Sequence, residues 1–293
     1  MQRSITGAIL WIALASGAWG QPSEPSGSDP RVPERVELES APRPLGKLQE
    51  RRARERGEDP KPTPGDRLQA YLARPEGKGP FPALVVMPGC AGLSAYVKEA
   101  LPRLLASWGY VALVVDSLTT RKVEPDCVKE SASVDRVADA YGGLYYLAGL
   151  PFVDRSRVGI FGVSIGGKVA LVLANTQTDA TVFNPEKLTF KAGVAYYPTC
   201  TVSNEMATFP LLIMIGRDDR LVNVRACENL AAQRAGNNIA TRLTIYPGAH
   251  HGFIERDWSP GRETFGARFE YNGEAAEDSL RQAREFLARN LKG

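Results

Sequence analysis

From residue 68 to the C-terminus, short apolar runs rich in β-branched residues alternate with longer stretches whose apolar positions recur at helical spacing. The runs predict strands at 68–73, 83–87, 111–115, 158–162, 192–197, 211–216 and 243–246. Helices are predicted at 96–108, 134–147, 165–174, 224–235 and 275–291. Uninterrupted apolar strands such as Leu211-Leu212-Ile213-Met214-Ile215 suit a sheet covered on both faces. The alternation is that of βα units around a mostly parallel sheet, so the fold class is α/β with helices on both faces.

The N-terminal pattern is different. Residues 1–20 carry Arg3, an apolar run from Ala8 to Leu14, and small residues at Ala18 and Gly20. The run is too short to span a bilayer and reads as a secretory signal cleaved near Gly20, leaving no membrane attachment. Residues 21–64 are rich in Pro, Ser, Glu and Arg and predict a flexible linker, within which 45–56 can form a short charged helix with a solvated face. The domain that carries the chemistry is expected at 65–293.

Composition changes the picture in two places. Subtracting 33 acidic from 36 basic residues leaves +3, with no footprint for a phosphate backbone, so nucleic acid is not an expected partner. Export makes the four cysteines informative, because an oxidising compartment permits disulfides. Three pairings are open. Cys200 and Cys227 lie 27 residues apart after successive predicted strands, and closing that loop is worth about 3–4 kcal/mol in the chain-entropy model. Cys90 with Cys127 then follows by elimination. No pair has the CxxC spacing of a zinc or redox site, and no metal is expected.

In open sheets of this kind, ligands sit beyond the carboxyl ends of the strands. The residues found there are the Gly89-Cys90-Ala91-Gly92 turn, Ser164, Asp218-Asp219 and His250-His251. Gly162-Val163-Ser164-Ile165-Gly166 fits GxSxG between a predicted strand and helix, where the glycines let a serine occupy a sharp, strained turn. The overlapping GxxxxGK string at Gly162 to Lys168 resembles a P-loop, but Val169 stands where a magnesium-binding hydroxyl is needed.

A serine needs a base, and the chain has only two histidines. His251 is the expected base, with His250 as its alternative. The carboxylate that orients the imidazole comes from Asp218 or Asp219. Backbone amides of Cys90 and Ile165 are the candidate donors to a developing oxyanion. Arg121 and Arg256 are candidates for attracting a substrate carboxylate.

Several ordered blocks resemble the dienelactone hydrolase family of α/β-hydrolases. They are Phe81 through Leu93, Gly109-Tyr110-Val111 with Val115-Asp116-Ser117, Tyr197-Pro198-Thr199-Cys200, Gly216 through Val222, and Tyr246 through Phe253. The resemblance implies an α/β-hydrolase fold, no cofactor, and a triad on Ser164, Asp219 and His251. Family members that open dienelactones generally carry a cysteine nucleophile, so Ser164 points instead toward the esterase-like relatives. Pro88 stands where many relatives have a histidine. The expected function is an exported serine hydrolase of a small carboxylic ester or lactone acting through an acyl-enzyme. A catalytically silent ligand-binding protein, or a peptidase or thioesterase with the same triad, is the alternative.

Overall fold

The computed structural model describes residues 29–127, 134–175, 182–202 and 207–293. Residues 1–20, where a secretory signal is expected, lie outside the described residues, as do the first eight of the 21–64 stretch.

One eight-stranded sheet runs in the order β1-β2-β4-β3-β5-β6-β7-β8. Its strands are β1 (Glu34–Glu39), β2 (Arg67–Ala73), β3 (Phe81–Met87), β4 (Val111–Asp116), β5 (Val153–Val163), β6 (Gly193–Tyr196), β7 (Leu211–Gly216) and β8 (Thr241–Tyr246). β1 and β2 pair antiparallel, β2 pairs antiparallel with β4, and every pairing from β4 to β8 is parallel. Parallel neighbours need crossovers. Helices α2 (Leu101–Ser107), α3 (Arg136–Ala148), α4 (Ile165–Leu173) and α5 (Val224–Gln233) supply them after β3, β4, β5 and β7, while α6 (Gly273–Leu291) closes the chain and α1 (Lys47–Glu55) lies outside the sheet order.

Strand period and helix packing agree. Leu84 meets α6, since a Cβ built on Gly159 would sit 3.1 Å from Leu84 and 2.9 Å from Leu291. Its neighbour Val85 lies against α3 on the other face, 3.0 Å from a Cβ built on Gly143. Successive residues of one strand therefore bury into opposite layers, which is why β4 and β7 are apolar and buried along nearly their whole length. Each fully buried Leu or Val there contributes about 1.5–3 kcal/mol. Helix starts follow from Asx caps: Asp135 accepts from the Ala138 N–H at 3.0 Å and Asn272 from the Ala275 N–H at 3.1 Å.

Three elements depart from the sequence expectation. The expected helix at 96–108 divides into a π-helical stretch, Tyr96–Ala100, followed by α2, because Pro102 has no N–H to continue an α-ladder. The expected flexible linker is corrected at residues 34–39, while α1 forms within 45–56, where a short charged helix was expected. Glu34–Glu39 alternates Val36 and Leu38 with charged residues and pairs residue for residue with β2, so it belongs to the sheet edge. A hairpin of β9 (Arg262–Thr264) and β10 (Ala267–Phe269) also stands outside the expected elements.

Candidate active site

At the carboxyl end of β5 the chain turns into α4 through a single residue. Ser164 occupies it with φ 54° and ψ −116°, a left-handed conformation that costs an L-residue energy and persists only where its surroundings enforce it. The enforcement is steric. A Cβ on Gly162 would lie 2.0 Å from the Gly166 carbonyl oxygen, and one on Gly166 would lie 1.9 Å from that of Met87. Only glycines let strand, turn and helix approach so closely, and the approach aims the serine side chain out of the sheet.

Three loops converge on that side chain. His251 Nε2 stands 2.9 Å from Ser164 Oγ, and His251 Nδ1 stands 2.7 Å from Asp219 Oδ2. A carboxylate only accepts, so the imidazole proton sits on Nδ1 and Nε2 is left to accept from the serine hydroxyl. Asp219 is itself held: its Oδ1 accepts the N–H groups of Leu221 at 2.9 Å and Val222 at 3.2 Å. Serine, imidazole and carboxylate are all buried, where hydrogen bonds are electrostatically stronger than in water. Asp218 is exposed, with its main-chain carbonyl 3.1 Å from His250 Nδ1, and the His250 imidazole approaches Glu270 at 3.7 Å. Adjacent side chains thus diverge, and the structure joins Asp219 and His251 to Ser164 but not Asp218 or His250.

Of the candidate oxyanion donors, Ile165 is the first residue of α4, so its N–H is one of the helix-end donors without an intrahelical acceptor. Cys90 approaches from the turn after β3. A Cβ on the preceding Gly89 would come 3.2 Å from that of Ser164, and Cys90 Sγ lies 3.9 Å from Ser164 Oγ. That sulfur is bonded to Cys127, and a second disulfide joins Cys200 to Cys227. Among the described residues, no three His, Cys, Asp or Glu side chains gather as a metal site.

The expectation for Arg121 is corrected. Its guanidinium donates to both carboxylate oxygens of buried Asp139 at 2.8 and 2.9 Å, to Asp66 at 2.8 Å and to the Ser117 carbonyl at 2.8 Å. Its fork is filled and joins the strand side of the fold to α3. Arg256 is exposed on a short 3₁₀ turn, with its guanidinium 5.3 Å from the Tyr271 ring centroid.

Sequence reasoning missed three residues that frame the imidazole. The rings of Tyr197 and Phe269 pack against it, with centroids 4.7 and 4.8 Å away. The Tyr197 hydroxyl donates to Glu255 at 3.0 Å, and Ser94 donates to the other oxygen of that carboxylate at 2.7 Å. Burial pushes the Glu255 carboxyl above its usual range, against the opposing pull of these donors and of His251. Its place four residues after His251 was the one available signal.

The sequence profile described as "Dienelactone hydrolase family" matches residues 68–291. The chain is 29% identical over 204 residues to a Bradyrhizobium protein named "Probable 2-oxo-3-(5-oxofuran-2-ylidene)propanoate lactonase", covering 66% of this chain and 82% of that one. Among solved structures, a dienelactone hydrolase-like promiscuous phosphotriesterase from metagenomic libraries superposes with a TM-score of 0.64 at 21% identity, over 88% of this chain and 99% of the other. The apo form of Thermogutta terrifontis esterase 2 does so with 0.59 at 19% identity, over 76% and 89%. At such identities the structural likeness establishes the fold.

Proposed function

The chain belongs to the dienelactone hydrolase family of ester-bond hydrolases, and on that premise we propose that it is an exported serine hydrolase that opens a carboxylic ester or lactone through an acyl-enzyme. The observation that carries the mechanism is the unbroken chain Ser164 Oγ, His251 Nε2, His251 Nδ1, Asp219 Oδ2, with links of 2.9 and 2.7 Å. Ser164 Oγ adds to the carbonyl carbon while its proton passes to Nε2. The carbonyl π pair moves to oxygen, toward the N–H groups of Ile165 and Cys90. On collapse the bond to the leaving oxygen breaks, that oxygen takes the proton from Nε2, and the acyl group remains on Ser164. Water repeats the sequence and releases the acid.

Asp219 fixes the tautomer and favours the transient imidazolium, while the rings of Tyr197 and Phe269 fix its plane. The similarity to a lactonase from Bradyrhizobium supports lactones as one substrate class. Export rests on the leader-like pattern of residues 1–20 and on two disulfides, which persist in oxidising compartments. The test pairs hydrolysis of p-nitrophenyl esters and simple lactones with fluorophosphonate labelling of wild type and Ser164→Ala. Turnover and labelling lost together in a folded variant support the mechanism. Turnover that survives in the variant overturns it. Export is read by fractionation: mature protein beginning near Gln21 outside the cytoplasm is the expected result, and an uncleaved cytoplasmic chain would refute it.

A further inference from the structure

The β9–β10 hairpin contains a residue in a conformation ill suited to its side chain. Phe265 and Gly266 form its two-residue turn with φ 52° and 80°. Turns with both central residues at positive φ favour Asn-Gly, and a bulky aromatic in the first place is strained. If chain reversal were the only task, asparagine or glycine would perform it at lower cost.

The surroundings of Phe265 show what its ring does. It packs on a small apolar cluster separate from the main core, with Trp258, Ala267 and Phe269 buried and with Ala91, Leu221 and Phe265 partly exposed at the edge. Ala91 directly follows Cys90, the candidate oxyanion donor. Leu221 gives its N–H to Asp219 Oδ1 at 2.9 Å. Phe269 lies against the His251 ring and contacts Phe265 at 5.9 Å between centroids. The hairpin is bound to the histidine loop through the Glu270 N–H and the His251 carbonyl at 3.2 Å, and Arg262 covers the Trp258 ring at 4.4 Å. Three partly exposed apolar side chains thus pack against one buried, largely aromatic cluster, each attached to a different part of the reaction machinery. Strain retained beside a reaction centre points to a task other than folding.

We infer that Phe265 is a specificity-determining residue, held in a strained turn so that its ring walls an apolar subsite for a hydrocarbon or aryl group of the substrate, next to the scissile bond. The inference rests on the serine-hydrolase reading above. Asn and Gly are both comfortable at positive φ, so Phe265→Asn and Phe265→Gly remove the ring without harming the turn.

The experiment measures Tm and kcat/KM for wild type and both variants in two series. One series is p-nitrophenyl acetate, butyrate and octanoate. The other is ethyl, hexyl and benzyl butyrate, and the series that responds locates the subsite on the acyl or the alcohol side. The expected result is a Tm equal to or above that of wild type, with kcat/KM lowered about tenfold or more for the larger apolar group and within about threefold for the smallest. Equal losses across both series, or a lower Tm with an unchanged profile, would overturn the inference and leave Phe265 a packing residue. A wild type that hydrolyses the esters with Ser164 dependence but is matched by Phe265→Asn overturns this inference alone. A wild type that turns over no ester and takes no fluorophosphonate overturns both readings.

Discussion

Asp139 and Asp219 are both buried carboxylates that face a nitrogen base, yet their networks end differently. Asp139 meets Arg121, whose guanidinium also donates to Asp66 and the Ser117 carbonyl, so both carboxylate oxygens and most of its N–H groups are engaged. Asp219 meets His251, and the chain continues through Nε2 to a hydroxyl at the end of a strained turn. A guanidinium only donates, whereas a neutral imidazole donates from one ring nitrogen and accepts at the other. The first network can therefore only hold helix and loop together. The second retains one mobile proton and a place to send it.

The contrast breaks most sharply at the open end. Ser164→Ala is expected to lower kcat about 10⁶-fold with the thermal midpoint nearly unchanged, read by steady-state kinetics beside calorimetry. Asp219→Asn leaves the geometry but presents the wrong tautomer, and kcat is expected to fall about 10⁴-fold in a folded enzyme. Arg121→Met inverts the pattern. It strands Asp139 as an unpaired buried charge, which is expected to cost about 3–5 kcal/mol in urea unfolding, while kcat/KM of the folded fraction stays within about threefold. Equal damage to activity would show that the two networks are coupled.

Two smaller effects sharpen the boundary of the site. Burial raises the Glu255 carboxyl above its ordinary 4.5, so the folded protein holds that proton more tightly than the unfolded chain. Stability from this group is present below the ordinary value and is lost as pH climbs through the raised one. Glu255→Gln is neutral throughout, so its stability relative to wild type is expected to improve as pH rises from 4.5, and a pH-independent difference would count against the shift. His250→Ala should change kcat/KM by no more than about twofold, because that ring faces Asp218 and Glu270 rather than Ser164.

The parallel half of the sheet was legible because both-face burial leaves unbroken apolar runs, and β7 (Leu211–Gly216) matches its expected limits at both ends. β1 was not, since an edge strand with only Val36 and Leu38 turned inward is averaged away in a polar, proline-rich stretch. β9 and β10 have three residues each, too few for any period to register. At the site, the meeting of Ser164, Asp219 and His251 was legible because two histidines left little choice and strand ends marked the places. Tyr197 and Glu255 were not, because a contact between residues 58 positions apart exists only after β6 and the histidine loop have docked.

The order of the three side chains along the chain has a further consequence during biosynthesis. The serine leaves the ribosome with its strand and helix while the imidazole is still to be translated, and the loop that bears it follows the last strand of the sheet. On the proposed mechanism, a nascent or prematurely terminated polypeptide therefore carries an inert alcohol, however well its first strands have paired. Reactivity on that mechanism waits until the histidine loop has docked, which for an exported chain places it beyond the cytoplasm.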